Sequence, residues 1–247
     1  MFAKLLTAVI DFDDTVYRNI HTVIPSEDLL DDLSGDPGER AYGEALVSRQ
    51  REESDYDSLI DRPFRYGVAI TPGGICPGIN SRFSDGTAFG VWYGSLSIVT
   101  TIYETVYHWL RFLDDAGIRD GSAGPVIADR RVFRVRTAGI LIDLRGKELE
   151  FPDLVSTRGY SFTHRLGDHL YRSGQKGLIV RSARDTKGTN VAAFSRDILF
   201  DPRHQRYMSY MSDRGNVKIS LDADEPRAWV AMNDIRGLFD ATTRGNA

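Results

Sequence analysis

The chain has 247 residues, 41% hydrophobic and 27% charged, with a formal net charge of −4. That length and composition fit one globular α/β or α+β domain and exclude a fibrous or intrinsically disordered chain, and the negative balance argues against general affinity for a nucleic-acid backbone. A single cysteine, Cys76, excludes an internal disulfide and any multi-cysteine zinc site.

The N-terminal "MFAKLLTAVIDFDD" is too short and too quickly acidic for a membrane span, and it matches a secretory signal poorly, so a cytoplasmic location without membrane association is expected. Residues 4–12 read as a short strand from their apolar run. It ends in Asp11-Phe12-Asp13-Asp14-Thr15, and D-x-D-x-T after an apolar strand resembles the opening motif of the haloacid dehalogenase phosphatases. There Asp11 would attack phosphorus and Asp13 would handle the leaving group's proton. The context does not follow: residues 25–60 read as helical and charge-rich where a second strand belongs, and only Lys147 or Lys176 stands in a usable position. Asp11 and Asp13 are therefore expected to be strand-end and turn carboxylates, with phosphatase kept as an alternative function.

A Gly- and Pro-rich loop at 71–78 is followed by a change of character. Phe89, Val91 and Tyr93 alternate with Gly90, Trp92 and Gly94, a strand whose glycine-bearing face lets a ligand or another backbone approach. Residues 97–115 carry Ile98, Ile102, Val106, Trp109 and Leu113 on one helical stripe, with Ser97 as N-cap and Gly117 at the C-terminal cap. Then come one or two strands over 131–144, a helix over 160–174, a buried strand "GLIVRSA", and a strand or loop at "NVAAFSRDILF". The division expected is 1–65, an N-terminal strand and helical accessory segment, packed on a core of 66–247, as one structural domain.

Four segments together resemble the RES domain family, named for its arginine, glutamate and serine. "SRFSDGTAFGVWYGSLSIVTTIYETVYHW" resembles its arginine–aromatic element, its tyrosine-bearing strand and its glutamate helix, with Arg82, Tyr93 and Glu104 at the matching positions. "YSFTHRLGDHLYRSGQKGLIVRSAR" resembles the helix, turn and strand that lead to its serine, here Ser182, and "NVAAFSRDILFDPRH" its terminal strand beginning at an asparagine. "VYRNIHTVIPSEDLL" resembles its N-terminal arginine strand, which makes Arg18 the second arginine, with Arg62 and Arg65 as the other candidates. The resemblance runs over about residues 16–205. Ser81 stands where the family more often has glycine.

What the resemblance implies is an ADP-ribosyltransferase-like α+β fold, a mixed or antiparallel sheet with flanking helices. It implies an enzyme that takes NAD+ as substrate, without a further cofactor, and cleaves its nicotinamide–ribose bond by hydrolysis or phosphorolysis. A toxin held by a cognate antitoxin or immunity protein is implied as well, and a protein ADP-ribosyltransferase is a close variant. The chemistry of the residues agrees. Cleavage builds positive charge on the ribose while the pyridine leaves neutral, so a carboxylate such as Glu104 stabilises the transition state and no general acid is required. Arg82, joined by Arg18, suits a pyrophosphate; Tyr93 suits stacking on nicotinamide; Ser182 suits a hydrogen bond to the amide or ribose. Singly, each has a plainer reading: Glu104 as a solvated helix residue, Arg82 as a surface ion-pair residue, Tyr93 as a core aromatic, Ser182 as a turn residue. Their joint order is what points to a site. The scattered histidines show no metal-ligand spacing, and no metal is assigned.

Overall fold

The computed structural model describes residues 2–22, 59–65, 70–71, 74–75, 80–119, 124–221 and 227–239. Two long neighbours organise it: β1 (Val9–His21) and β5 (Val126–Asp143) pair antiparallel from Val9↔Ile142 to His21↔Arg130. On its other edge β1 meets β4 (Trp92–Ser95), which pairs with β7 (Thr189–Ala193), which pairs with β6 (Gly177–Arg181). β6 returns to the end of β5 through a parallel pairing, Ile142↔Leu178 and Asp143↔Ile179, so five strands close into a ring. β8 (Leu199–Asp213), β9 (Asn216–Ser220) and β10 (Val230–Ala231) extend from β5 to complete an eight-stranded, mostly antiparallel sheet, while β2 (Ile70–Thr71) and β3 (Gly74–Ile75) pair only with each other.

Among the described residues four helices flank the sheet: α1 (residues 59–65), α2 (Ile98–Asp115), α3 (Ser161–Arg172) and the short α4 (residues 235–239). The apolar stripe of α2 behaves as its spacing predicts. Ile102, Val106, Trp109 and Leu113 are buried against Val132, Met208 and Tyr210 of the sheet, each such side chain stabilising the fold by about 1.5–3 kcal/mol. Ser97 accepts a hydrogen bond from the Thr100 N–H at 3.1 Å, and Gly117 ends the helix at φ +68°. α3 seats Leu166 and Leu170 against Phe83, Leu178 and Val180. The ring interior is filled by Phe12, Val16, Trp92, Phe133 and Val191.

The first expected strand is displaced. Leu5–Thr7 form a 3-10 turn and β1 starts at Val9, so Asp11 and Asp13 lie within a long antiparallel strand rather than at a strand end and turn. Both are exposed, and Asp13 is bound by both Nε (2.8 Å) and Nη2 (2.6 Å) of Arg136 on β5. The phosphatase reading loses its geometry, since neither aspartate closes a strand or reaches a cavity. The strand expected at 131–144 is one element that begins at Val126. Segment 190–200 divides into β7, a 3-10 turn capped by Ser195, and the start of β8. Of the helical expectation for 25–60, all but residues 59–60 falls outside the described residues.

The two glycines of the 89–94 segment line a cavity, and the places a Cβ would take are filled by neighbouring protein. A Cβ on Gly90 would stand 1.7 Å from the Pro63 carbonyl oxygen of α1, and one on Gly94 2.5 Å from Val16 Cγ1 and 2.8 Å from the Tyr17 carbonyl oxygen of β1.

Candidate active site

A cavity of about 340 Å³ opens between α2, β1, β4 and the 80–83 loop. Its volume falls within the usual small-molecule range of about 300–1,000 Å³. Thr101, Glu104, Thr105 and His108 reach it from α2, the i, i+3, i+4, i+7 face turned away from the apolar stripe. Arg18 enters from β1, Tyr93 from β4, Arg82 from the loop, and Tyr160 from the residue before α3. Among the described residues lining it, Glu104 is the only carboxylate, opposite two arginines.

Glu104 is held from behind. Its Oε1 accepts from Ser182 Oγ and from Asn190 Nδ2, each at 2.6 Å, and among the described residues Oε2 accepts no hydrogen bond. Asn190 is oriented in turn by Ser95 Oγ, which donates to its Oδ1 at 2.7 Å across the β4–β7 ladder. Ser182 directly follows β6 and is 6% exposed; its Oγ also accepts from the N–H groups of Arg184 (3.1 Å) and Asp185 (3.0 Å). The turn carrying it is locked by buried Asp185, which accepts from Thr100 Oγ1 (2.8 Å) and from Arg236 Nη2 (2.5 Å). A carboxylate fixed by charge-assisted bonds on one oxygen presents the other at a defined position.

Arg82 sits on a clamped loop. Its Nη1 donates to the carbonyls of Leu154 (3.2 Å) and Ser156 (3.0 Å), and the guanidinium lies 5.0 Å from the centroid of the Tyr160 ring. Burial pulls its pKa down, with Tyr160 and Glu104 opposing. The Tyr93 hydroxyl accepts from the Phe83 N–H at 2.8 Å and shares a 3.2 Å hydrogen bond with Ser81 Oγ, while His164 Nε2 donates to the Ser81 carbonyl at 2.7 Å. Burial of the phenol oxygen raises its pKa, so it stays neutral at physiological pH. Arg18 Nη1 donates to the Tyr93 carbonyl at 2.9 Å, and its guanidinium lies 5.4 Å from the Trp92 ring. At the cavity mouth His108 has its pKa lowered by desolvation, against Glu104, with Arg184, Arg111 and Arg82 adding to the lowering; it is neutral at pH 7.

Four of the residues expected from sequence thus come together, though not all in the expected posture. Arg18, Arg82, Tyr93 and Glu104 line the cavity; Arg62 and Arg65 are exposed and do not, only Pro63 between them reaching it. Ser182 lies behind Glu104, its hydroxyl donating to the carboxylate and accepting from two backbone N–H groups, and it is not among the residues lining the cavity. The Tyr93 hydroxyl is engaged by the Arg82 loop, and the residue lines the cavity. Sequence reasoning missed Asn190, His164 and Tyr160; for Asn190 the one available signal was the asparagine that opens the family's terminal strand. Among the described residues, no group of three His, Cys, Asp or Glu side chains converges as a metal site, and no helix is long and apolar enough to cross a membrane.

Residues 46–213 match the RES domain family. No curated protein matches the chain. Among solved structures, it is similar to one described as the M. tuberculosis MbcT–MbcA toxin–antitoxin complex, with 12% identity, 81% of this chain and 85% of that chain covered, and a TM-score of 0.44.

Proposed function

Because this chain belongs to the RES domain family, we propose that it consumes NAD+, breaking the bond between nicotinamide and ribose. The observation that carries the reading is the lone carboxylate of Glu104 facing Arg18 and Arg82. Hydrolysis of an ordinary O-glycoside uses two carboxylates, one of them to protonate the leaving oxygen. A pyridinium needs no proton to leave: the C–N bond breaks, both electrons pass to nitrogen, and nicotinamide departs neutral. One carboxylate then suffices to stabilise the oxocarbenium-like ribose, through the unoccupied Oε2 of Glu104. Two guanidiniums meet the charge of a pyrophosphate. The Tyr93 ring offers a stacking face, and Ser182 and Asn190 act as positioning residues for Glu104. Water adding to the ribose gives ADP-ribose and one proton; phosphate adding gives ADP-ribose 1″-phosphate.

Depletion of NAD+ fits the cytoplasmic toxin that the family resemblance implies, neutralised by a cognate antitoxin or immunity protein. The test is a time course of NAD+ and its products with purified protein, with and without inorganic phosphate. Stoichiometric nicotinamide release with ADP-ribose or its 1″-phosphate supports the reading. Intact NAD+ contradicts it, and label retained on protein converts it to protein ADP-ribosylation.

A further inference from the structure

Thr105 and His108 of α2 also line a second compartment, of about 460 Å³. Its walls are largely apolar and include Trp109, Phe112, half-exposed Ile127 and Val126. One strong cation lies in it. Arg130 is 8% exposed and is held by Asn19 of β1, with Nε donating to Oδ1 at 3.0 Å and Nη2 to the carbonyl at 3.3 Å. Its other flank lies 5.5 Å from the Tyr210 ring. Among the described residues no carboxylate pairs with Arg130, and none lines the compartment.

A guanidinium withdrawn from water without a counter-ion is costly, and the acceptors it meets, two on Asn19 and the Tyr210 hydroxyl, are neutral. The compartment therefore supplies what the residue lacks: room for an anion, beside apolar and aromatic walls suited to a nucleobase. The first compartment already has Arg18 and Arg82 for a pyrophosphate, so a third cation in the adjoining compartment meets a third phosphate. In a nicotinamide dinucleotide with its pyridine end at Glu104, the phosphate that lies beyond the pyrophosphate is the 2′-phosphate of the adenosine ribose.

We propose that the second compartment receives the adenosine end of the dinucleotide and that Arg130 reads a 2′-phosphate there, which makes the 2′-phosphorylated dinucleotide the preferred substrate. The proposal rests on the dinucleotide reading of the first compartment, but its test does not require turnover. Calorimetric titration of the full chain with 2′,5′-ADP and with ADP compares ligands differing in where the second phosphate sits. Charge-assisted bonds to a buried cation lead to about tenfold tighter binding of 2′,5′-ADP. Arg130→Met abolishes the preference. Because Arg130 also supports Asn19, a second variant is needed: Ile127→Glu, at a half-exposed wall position, sets a carboxylate against the phosphate, weakens 2′,5′-ADP and leaves the melting temperature unchanged. Equal affinity for the two ligands, binding of neither, or a preference that survives Ile127→Glu undiminished overturns the inference. Consumption of NAD+ with no such preference would sink this inference alone; consumption of neither NAD+ nor NADP+ would sink the proposed function.

Discussion

Asn190 Nδ2 and Glu104 Oε1 stand 2.6 Å apart, and the amide is aimed at that oxygen because Ser95 occupies its other end. A hydrogen bond so prepared fixes the carboxylate rotamer more than it alters its charge. Asn190→Ala should lower kcat for NAD+ loss by about ten- to a hundredfold with little change in KM, the signature of an interaction that counts mainly in the transition state. Ser95→Ala should give the same kcat pattern at smaller size. A fall in kcat/KM carried by KM alone would speak against a positioning role.

Tyr93→Phe tests the loop clamp. Removing the hydroxyl leaves the Phe83 N–H without its acceptor, a loss of about 1–3 kcal/mol in stability by the usual cost of an orphaned buried donor. The Arg82 loop loosens with it, so KM should rise severalfold while the stacking ring remains. Thermal or urea unfolding beside steady-state kinetics reads both effects; an unchanged midpoint and unchanged KM would refute the clamp.

The aspartates of the N-terminal motif should be dispensable. Asp11 projects from an exposed face of β1 and lines neither compartment, so Asp11→Asn is expected to leave NAD+ consumption and the melting temperature at wild-type values. Loss of activity in this variant would return catalytic weight to the D-x-D-x-T stretch.

Asp143, at the end of β5, is gripped by Nε (2.9 Å) and Nη2 (2.7 Å) of Arg145, and that hydrogen bonding holds its pKa below the ordinary carboxylate value. A depressed folded-state pKa adds stability that is complete above the unfolded value, about 3.9, and is lost as pH falls through the folded value. Both side chains reach solvent, so the contribution is on the order of 0.5 kcal/mol. Urea unfolding of wild type and Asp143→Asn should differ by that amount at pH 7 and converge as pH falls through the depressed folded-state value. A gap that widens in acid would contradict the sign.

What could be read from sequence was local. The α2 stripe and the Ser97 cap are encoded within a few residues, and the helix fell where its spacing put it. The meeting of Glu104 with Ser182, 78 residues away, was accessible only through the family resemblance, and their direct hydrogen bond was not foreseen. Asn190 carries no local signal, since its role depends on the β4–β7 register that puts it beside Ser95. β8 escaped notice because its first half, "DPRHQR" at 201–206, is polar on both faces and lacks an apolar alternation. Gly90 and Gly94 were legible as points of close approach, but sequence did not say that Pro63 and β1 would fill the space.

Whether the Glu104 carboxylate stabilises the transition state of pyridinium-glycoside cleavage is tested most directly by Glu104→Gln, since the side chain keeps its shape and loses its charge. Nicotinamide release from NAD+ should be followed for the wild type and this variant at matched folding, checked by melting temperature. A loss of at least about 100-fold in kcat with binding of the dinucleotide retained is expected. A Glu104→Gln protein that releases nicotinamide at the wild-type rate would contradict it.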